Sequence, residues 1–227
     1  MFHRKWILAA AMALLTTIAA VAQETAPELK TDKDKFSYAL GMNFGGGLRS
    51  QGLDLVPALF ARAFAEAFEN GKTAMSEQEM EAVLTAAAQN LQSRQAEKDE
   101  KVKLDGENFL VENKTKEGVV TLPSGLQYKV LEQGTGDKPT LRDSVSCNYR
   151  GTLIDGTEFD ASDNHGGPAT FPLKGVIRGW TEALQLMPVG SKWQLFIPSD
   201  LAYGEQGPAG IGPNATLIFE VELVSIG

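Results

Sequence analysis

The chain has 227 residues, a 43% hydrophobic share, a 22% charged share and a formal net charge of −8, the profile of a soluble globular protein with enough chain for a sizeable core. The acidic balance, uninterrupted by any Lys/Arg cluster, excludes nucleic acid as a partner. Cys147 is the one cysteine, which excludes an intrachain disulfide and a structural zinc site, and the two histidines are too few for a multi-histidine metal centre.

Arg4 and Lys5 precede an apolar run from Trp6 to Ala22 that ends in the small-x-small pattern Ala20-Val21-Ala22. Polar chain follows at Gln23, so residues 1–22 are expected to form a secretory signal peptide. No cysteine lies near the cleavage point, which excludes a lipid anchor there. An exported chain is expected, with the periplasm as its destination and the outer-membrane surface or the medium as alternatives. Cleavage removes Arg4 and Lys5 from the 21 basic residues and none of the 29 acidic ones, leaving 19 against 29 and a net charge of −10. It also removes His3, so His165 is the one histidine of the mature chain.

Residues 23–118 read as a helical region. From Asp32 to about Ser50, Phe36, Ala39, Leu40, Phe44 and Leu48 recur at helical spacing, interrupted by Gly45-Gly46-Gly47. A second helix, capped by Asp54, carries the stripe Leu55, Leu59, Phe60, Ala63, Phe64, Ala67 and Phe68 and ends at Asn70-Gly71. Ser76-Glu77-Gln78-Glu79 reads as a capping box opening a third helix. That helix begins with Met80, Val83, Leu84, Ala87 and Leu91, then turns highly charged and runs toward Lys116. Its charged middle has no apolar face to bury, which predicts a solvent-exposed spacer about 60 Å long between two folded ends.

At Gly118 the composition shifts to β-branched residues, Gly and Pro. Strands are expected at 119–122, 126–131, 146–153, 169–173, 192–198 and 216–224, with Asp155-Gly156 as a hairpin turn and one short helix over about 180–187. The fold class predicted is therefore α+β: an antiparallel sheet wrapped around a short helix over 119–227, preceded by an all-α region with a long connecting helix.

Two familiar motifs fail. Gly71-Lys72-Thr73 lacks the leading glycine of a phosphate loop, since position 66 is Glu66. Asp160, Ser162 and Asn164 begin like a calcium loop, but His165 and Phe171 stand where glycine and glutamate are required. Cys147 alternates with Val145 and Tyr149 along a strand, so it is expected to face the core instead of pairing with His165 as a nucleophile.

What remains is a cluster of aromatic residues: Tyr149, Phe159, Phe171, Trp180, Tyr203 and Phe219. On periodicity alone the better explanation is that they form the core of a small β domain. The strings VSCNYRGTLIDGTEFDAS (145–162), VIRGWTEALQLMPVGSKWQLFIPSDLAYGEQG (176–207) and PNATLIFEVELVSI (213–226) decide otherwise. They closely resemble the FKBP-type prolyl isomerases, nearly continuously from Val119 to the end of the chain. VTLPSGLQYKVLEQGTG (120–136) and the helical N-terminal half resemble the Mip/FkpA-like branch, which joins a helical dimerisation region to one FKBP domain.

The resemblance implies a peptidyl-prolyl cis–trans isomerase that assists the folding of exported proteins and needs no cofactor or metal. By resemblance Trp180 is the floor of the proline pocket, and Tyr149, Phe159, Val176, Ile177 and Phe219 are its walls. Phe171 and Leu173 line one side, with Ile211 as a further substrate contact. Asp160 and Tyr203 are the catalytic pair: a charge near the rotating carbonyl, and a hydroxyl offered to a substrate carbonyl. The Ile177 backbone N–H is a second donor. Ala169 replaces an aromatic of many single-domain relatives and the loop from Leu173 to Val176 is short, which bears on macrolide affinity and on the residue preferred before proline. The partners implied are proline-containing unfolded or partly folded proteins, a macrolide inhibitor of the FK506 or rapamycin type, and a second copy of the chain in a homodimer. The rival reading is a non-catalytic FKBP scaffold that binds clients as a chaperone.

The chemistry suits these residue types. Rotation about a peptide bond meets a barrier of ~18–20 kcal/mol because amide resonance must be broken. The twisted amide is less dipolar than the planar one, so an apolar, water-excluding pocket lowers the barrier without a nucleophile.

Overall fold

The structure, a computed structural model, describes residues 27–69 and 71–227. The expected signal peptide and Asn70 lie outside these residues. Contacts divide the chain into a unit ending at Ala74 and a second unit, Met75–Gly227. No helix among the described residues is long and apolar enough to cross a membrane.

In the first unit, α1 (Asp32–Ser50) opens on a capping box: the Thr31 hydroxyl accepts from the Asp34 N–H at 3.1 Å, and the Asp34 carboxylate accepts from the Thr31 N–H at 2.8 Å. These bonds hold the Asp34 carboxyl below the usual carboxylate range. Gly45, Gly46 and Gly47 continue the helix without interruption. The second helix, α2, spans Pro57–Phe68, and Asp54 does not cap it. The N-cap is Val56, extended at φ −90° and ψ 102°. Proline at the first helical position fixes that start, because its ring bars the residue before it from helical geometry. Phe44 and Phe60 stack with ring centroids 6.0 Å apart, yet neither helix buries a single residue.

The second unit begins with α3 (Glu77–Asn113). Ser76 and Glu79 form the expected capping box, with the Ser76 N–H donating to the Glu79 carboxylate at 2.7 Å. The helix is exposed along most of its length and buries only Gly106 and Asn113. Its last two turns seat on the sheet. Gly106 lies against Thr216 with no room for a Cβ, and the Phe109 ring meets Phe196 at 6.0 Å. The buried Asn113 amide donates to Gln127 Oε1 at 3.0 Å, while Gln127 Nε2 donates to the Leu110 carbonyl at 2.8 Å. The spacer therefore ends as an integral part of the second unit.

Seven strands follow: β1 (Val119–Thr121), β2 (Gln127–Glu132), β3 (Ser144–Leu153), β4 (Glu158–Ala161), β5 (Ala169–Pro172), β6 (Lys192–Ile197) and β7 (Leu217–Ile226). All pairings are antiparallel, in the order β1-β2-β6-β7-β3-β4, with β5 pairing the first half of β3. The ends of the expected strands lie within two residues of the observed ones. The hairpin at Asp155-Gly156 delivers β4 as a strand in its own right, with Gly156 at φ +88°.

One helix, α4 (Arg178–Leu184), lies in the concavity of the sheet and buries Gly179, Trp180, Ala183 and Leu184. It approaches closely because residue 179 is glycine: a Cβ there would sit 2.5 Å from Ile197 Cγ2. The core joins these residues to Leu126, Val145, Leu173, Leu195, Ile197, Leu217, Phe219 and Val221. Cys147 is fully covered in β3, and burial pushes its thiol up to about 12, which keeps it protonated and unreactive at neutral pH.

Candidate active site

The aromatic side chains converge from five elements. Trp180, 4% exposed, is the centre. Around it Tyr149 of β3, Phe171 of β5 and Phe219 of β7 stand edge-on, at 5.4, 6.0 and 5.2 Å and interplanar angles of 82°, 88° and 79°. Phe159 of β4 extends the arrangement, T-shaped on Phe219 at 5.4 Å. Edge-to-face geometry suits the ring quadrupoles, so the group is a stable wall of apolar surface. The indole N–H of Trp180 finds no acceptor among the described residues.

Gly151 makes the close ring packing feasible. It sits in mid-strand, paired with Asp160 on one side and with Phe219 on the other. A Cβ there would fall 2.7 Å from both Phe159 Cζ and Phe219 Cε1. The sequence signal was present, since glycine inside a strand often marks close approach of another group, but nothing local identified what approaches.

Polar groups border the rings. The Tyr149 hydroxyl donates to Asp160 Oδ2 at 2.8 Å, and His165 Nε2 lies 2.9 Å from Asp160 Oδ1. Partial burial raises the Asp160 carboxyl, but hydrogen bonds from His165 and Tyr149 outweigh it and hold the group below its ordinary range. Burial and the neighbouring carboxylate push the Tyr149 phenol up to about 12, so it remains a donor. The Tyr203 hydroxyl, on a side chain 42% exposed, makes no hydrogen bond among the described residues, and the Ile177 backbone N–H donates to none either.

Phe159, Asp160, Tyr203, Ile211 and Phe219 line one open cleft of about 520 Å³ with the loop 208–210. That loop is drawn tight where Gly207 lies on the Gly212 carbonyl, leaving no space for a side chain. Trp180 and Tyr149 join this cleft through their ring contacts with Phe219, and Phe171 stands behind them, against Tyr149 and Trp180. Val176 differs: it packs on the core and lines a separate groove with Lys174, Arg178 and Leu201. Ile177 is half-buried against the core at the start of α4.

Comparison with known proteins decides what this arrangement belongs to. Residues 136–224 match the family described as FKBP-type peptidyl-prolyl cis-trans isomerase, and residues 33–130 match the domain amino-terminal to it. The chain is 45% identical to the Outer membrane protein MIP of Legionella longbeachae, over 98% of this chain and 97% of that one. The chain belongs to the FKBP-type peptidyl-prolyl cis–trans isomerases. A 22 kDa isomerase of this type from Escherichia coli is 43% identical over 89% of this chain and 99% of its own. The crystal structure of FkpA from Escherichia coli superimposes with a TM-score of 0.68 at 38% identity, covering 88% of this isomerase and 98% of FkpA.

The FKBP-type assignment makes the chemistry a rotation, with no bond made or broken. The Mip/FkpA likeness spans both the helical half and the sheet. Among the described residues no cluster of His, Cys, Asp and Glu has the make-up of a metal site.

Proposed function

We propose that the cleft at Phe159, Asp160, Tyr203, Ile211 and Phe219, backed by Trp180, Tyr149 and Phe171, is where this isomerase turns X–Pro bonds. The observation that carries the proposal is the indole of Trp180 ringed edge-on by three aromatic side chains, with a carboxylate and an unengaged hydroxyl at the border. A prolyl ring entering against Phe219 leaves water behind, and the planar, dipolar amide loses more solvation there than the twisted one. The Asp160 charge faces the rotating carbonyl, and Tyr203 together with the Ile177 N–H holds the flanking carbonyls in the twisted geometry. Val176 acts from behind, through packing.

Tyr203→Phe tests the hydroxyl. A drop of about three- to tenfold in kcat/KM on a Pro-containing peptide is expected, the rate equivalent of one hydrogen bond of roughly 0.5–1.5 kcal/mol. A wild-type rate removes Tyr203 from the mechanism.

The organisation proposed is a signal peptide over 1–22, a helical dimerisation region with its connecting helix over 23–118 and the isomerase domain over 119–227. Export is supported by the apolar leader and by a relative named an outer membrane protein. The clients are then exported chains with X–Pro bonds whose uncatalysed isomerisation takes tens to hundreds of seconds. The homodimer is supported by the apolar surface of α1 and α2: Phe36, Leu59, Phe64 and Phe68 are 69%, 64%, 56% and 80% exposed. So much exposed apolar surface favours a partner, and a second copy supplies the same stripes. Light scattering on the mature protein is expected to read twice the chain mass; a single-chain mass rules the dimer out. Two sites on one dimer raise the effective concentration at a client that carries several prolines, and a macrolide of the FK506 or rapamycin type would occupy the same cleft.

A further inference from the structure

The groove that Val176 lines is a second concavity, which the proposed rotation does not use. It has a volume of about 510 Å³ and is lined by Leu141, Val176 and Leu201 together with Lys174, Arg178 and Glu182. Leu141 is 44% exposed, so apolar surface stands open to water there. The frame is built in place. The Thr181 hydroxyl donates to the Leu173 carbonyl at 2.9 Å, and the Leu173 N–H donates to the Asp143 carbonyl at 3.0 Å. The turn that carries Lys174 is therefore tied to α4 on one side and to the chain entering β3 on the other.

Its cations are unspent. Among the described residues neither Lys174 nor Arg178 pairs with a carboxylate, and Arg178 reaches only the Asp200 backbone carbonyl, at 3.5 Å. Glu182 lies one helical turn beyond Arg178 and does not pair with it either. Elsewhere in the same unit Lys101, Arg150 and Lys192 each hold a carboxylate. Two free cations against one acid make this groove locally positive in a chain of net charge −8.

The groove is continuous with the proposed site through the backbone. Val176 and Arg178 are the chain neighbours of Ile177, whose N–H donates to no group among the described residues. A client strand with a carbonyl on that N–H runs on at about 3.3–3.6 Å per residue, so its next few residues lie over the groove.

We propose that this groove is an extended subsite for the client chain, and that it favours clients with carboxylate side chains about two to four residues from the proline. Lys174 and Arg178 would meet the carboxylates, while their alkyl stems, Leu141 and Val176 cover the apolar part of the segment. Contacts this far from the turning bond are the same in the planar and the twisted amide, so they lower KM and leave kcat alone. The sign is diagnostic. The net negative field of the chain disfavours an acidic peptide, and only a local positive site reverses that.

The inference rests on the reading of the cleft as the isomerase site, and its test keeps the two apart. Exchange NMR on the mature full-length protein gives kcat and KM for three Phe-Pro peptides of equal length. One has neutral flanks, one has two glutamates before the proline, and one has them after it. At low salt at least one acidic peptide is expected to show a KM about two- to tenfold below the neutral one, the equivalent of two partly exposed ion pairs. The gain is expected to vanish near about 0.5 M salt, where screening is short-ranged. Lys174 and Arg178 are exposed, so the chain tolerates their replacement. Lys174→Gln combined with Arg178→Gln is expected to abolish the gain and to leave the neutral peptide at the wild-type rate. Lys174→Glu combined with Arg178→Glu is expected to reverse the preference. Acidic peptides no better than the neutral one, or a gain that survives the double glutamine variant, overturn the subsite. Failure to accelerate any of the three peptides overturns the reading of the cleft instead.

Discussion

Asp160→Leu is expected to lower kcat/KM for a prolyl peptide by about ten- to a hundredfold while the chain stays folded. The carboxylate borders the ring wall, held by Tyr149 and His165. Leucine keeps the branched shape and removes the charge. The side chain is 40% exposed, so its loss leaves no buried group stranded, and Tyr149 and His165 are both within reach of water. A thermal melt within a few degrees of wild type, set beside the rate, separates catalysis from folding. Asp160→Asn divides the effect further, since asparagine retains an acceptor for Tyr149 without the charge. The pH sign follows from the depressed carboxyl: ionised Asp160 persists below the ordinary carboxylate range, so its own protonation is not expected to slow the enzyme at pH 5. Unchanged turnover in Asp160→Leu removes the carboxylate from the mechanism.

Gly151→Val is expected to cost about 1–3 kcal/mol of stability through overpacking and to cut kcat/KM by at least about tenfold. The new Cβ needs space already held by Phe159 and Phe219, each 2.7 Å away. Residue 151 pairs with Phe219 on one neighbouring strand and Asp160 on the other, so the strand has little freedom to retreat. The rings must turn instead, and Phe219 also stands against Trp180 at 5.2 Å. One substitution therefore disturbs the wall, the floor and the backbone that bears the carboxylate. Urea unfolding followed by tryptophan fluorescence gives the stability loss, and the peptide assay at 25 °C gives the rate on chain that is still folded. Full activity with lowered stability would make Gly151 a packing glycine and nothing more.

Much of the molecule was legible because its signals are local. The Ser76 capping box set the start of α3, and the shift to β-branched residues at Gly118 set the start of the sheet. Asp54 misled because a capping side chain was weighed without Pro57, whose ring forbids a helical residue before it. The pocket residues came from matching strings, and the structure brings Tyr149, Phe159, Phe171, Trp180 and Phe219 into one contiguous set of rings. Val176, named with them, follows the tight turn Leu173–Gly175 and lines another groove with Lys174, Arg178 and Leu201. Gly151 was passed over, and His165 was weighed only against Cys147 and a calcium loop, for a common reason. A glycine's neighbours across a sheet are set by register, and a lone histidine is informative only once its partner is known. Asp160 is close in sequence to His165, yet only the turn fixed by Ser162 brings their side chains together.

The most direct measurement of where the bond turns is exchange NMR on a Phe-Pro peptide with a catalytic amount of the mature protein, combined with transferred NOEs. Cis–trans exchange faster than the uncatalysed tens of seconds is expected with the cis:trans ratio unchanged, and the prolyl ring protons should show contacts to the aromatic protons of Phe219 and Tyr203. Accelerated exchange with contacts only at the groove of Lys174 and Arg178, or no acceleration at all, would contradict a ring-walled cleft as the seat of catalysis.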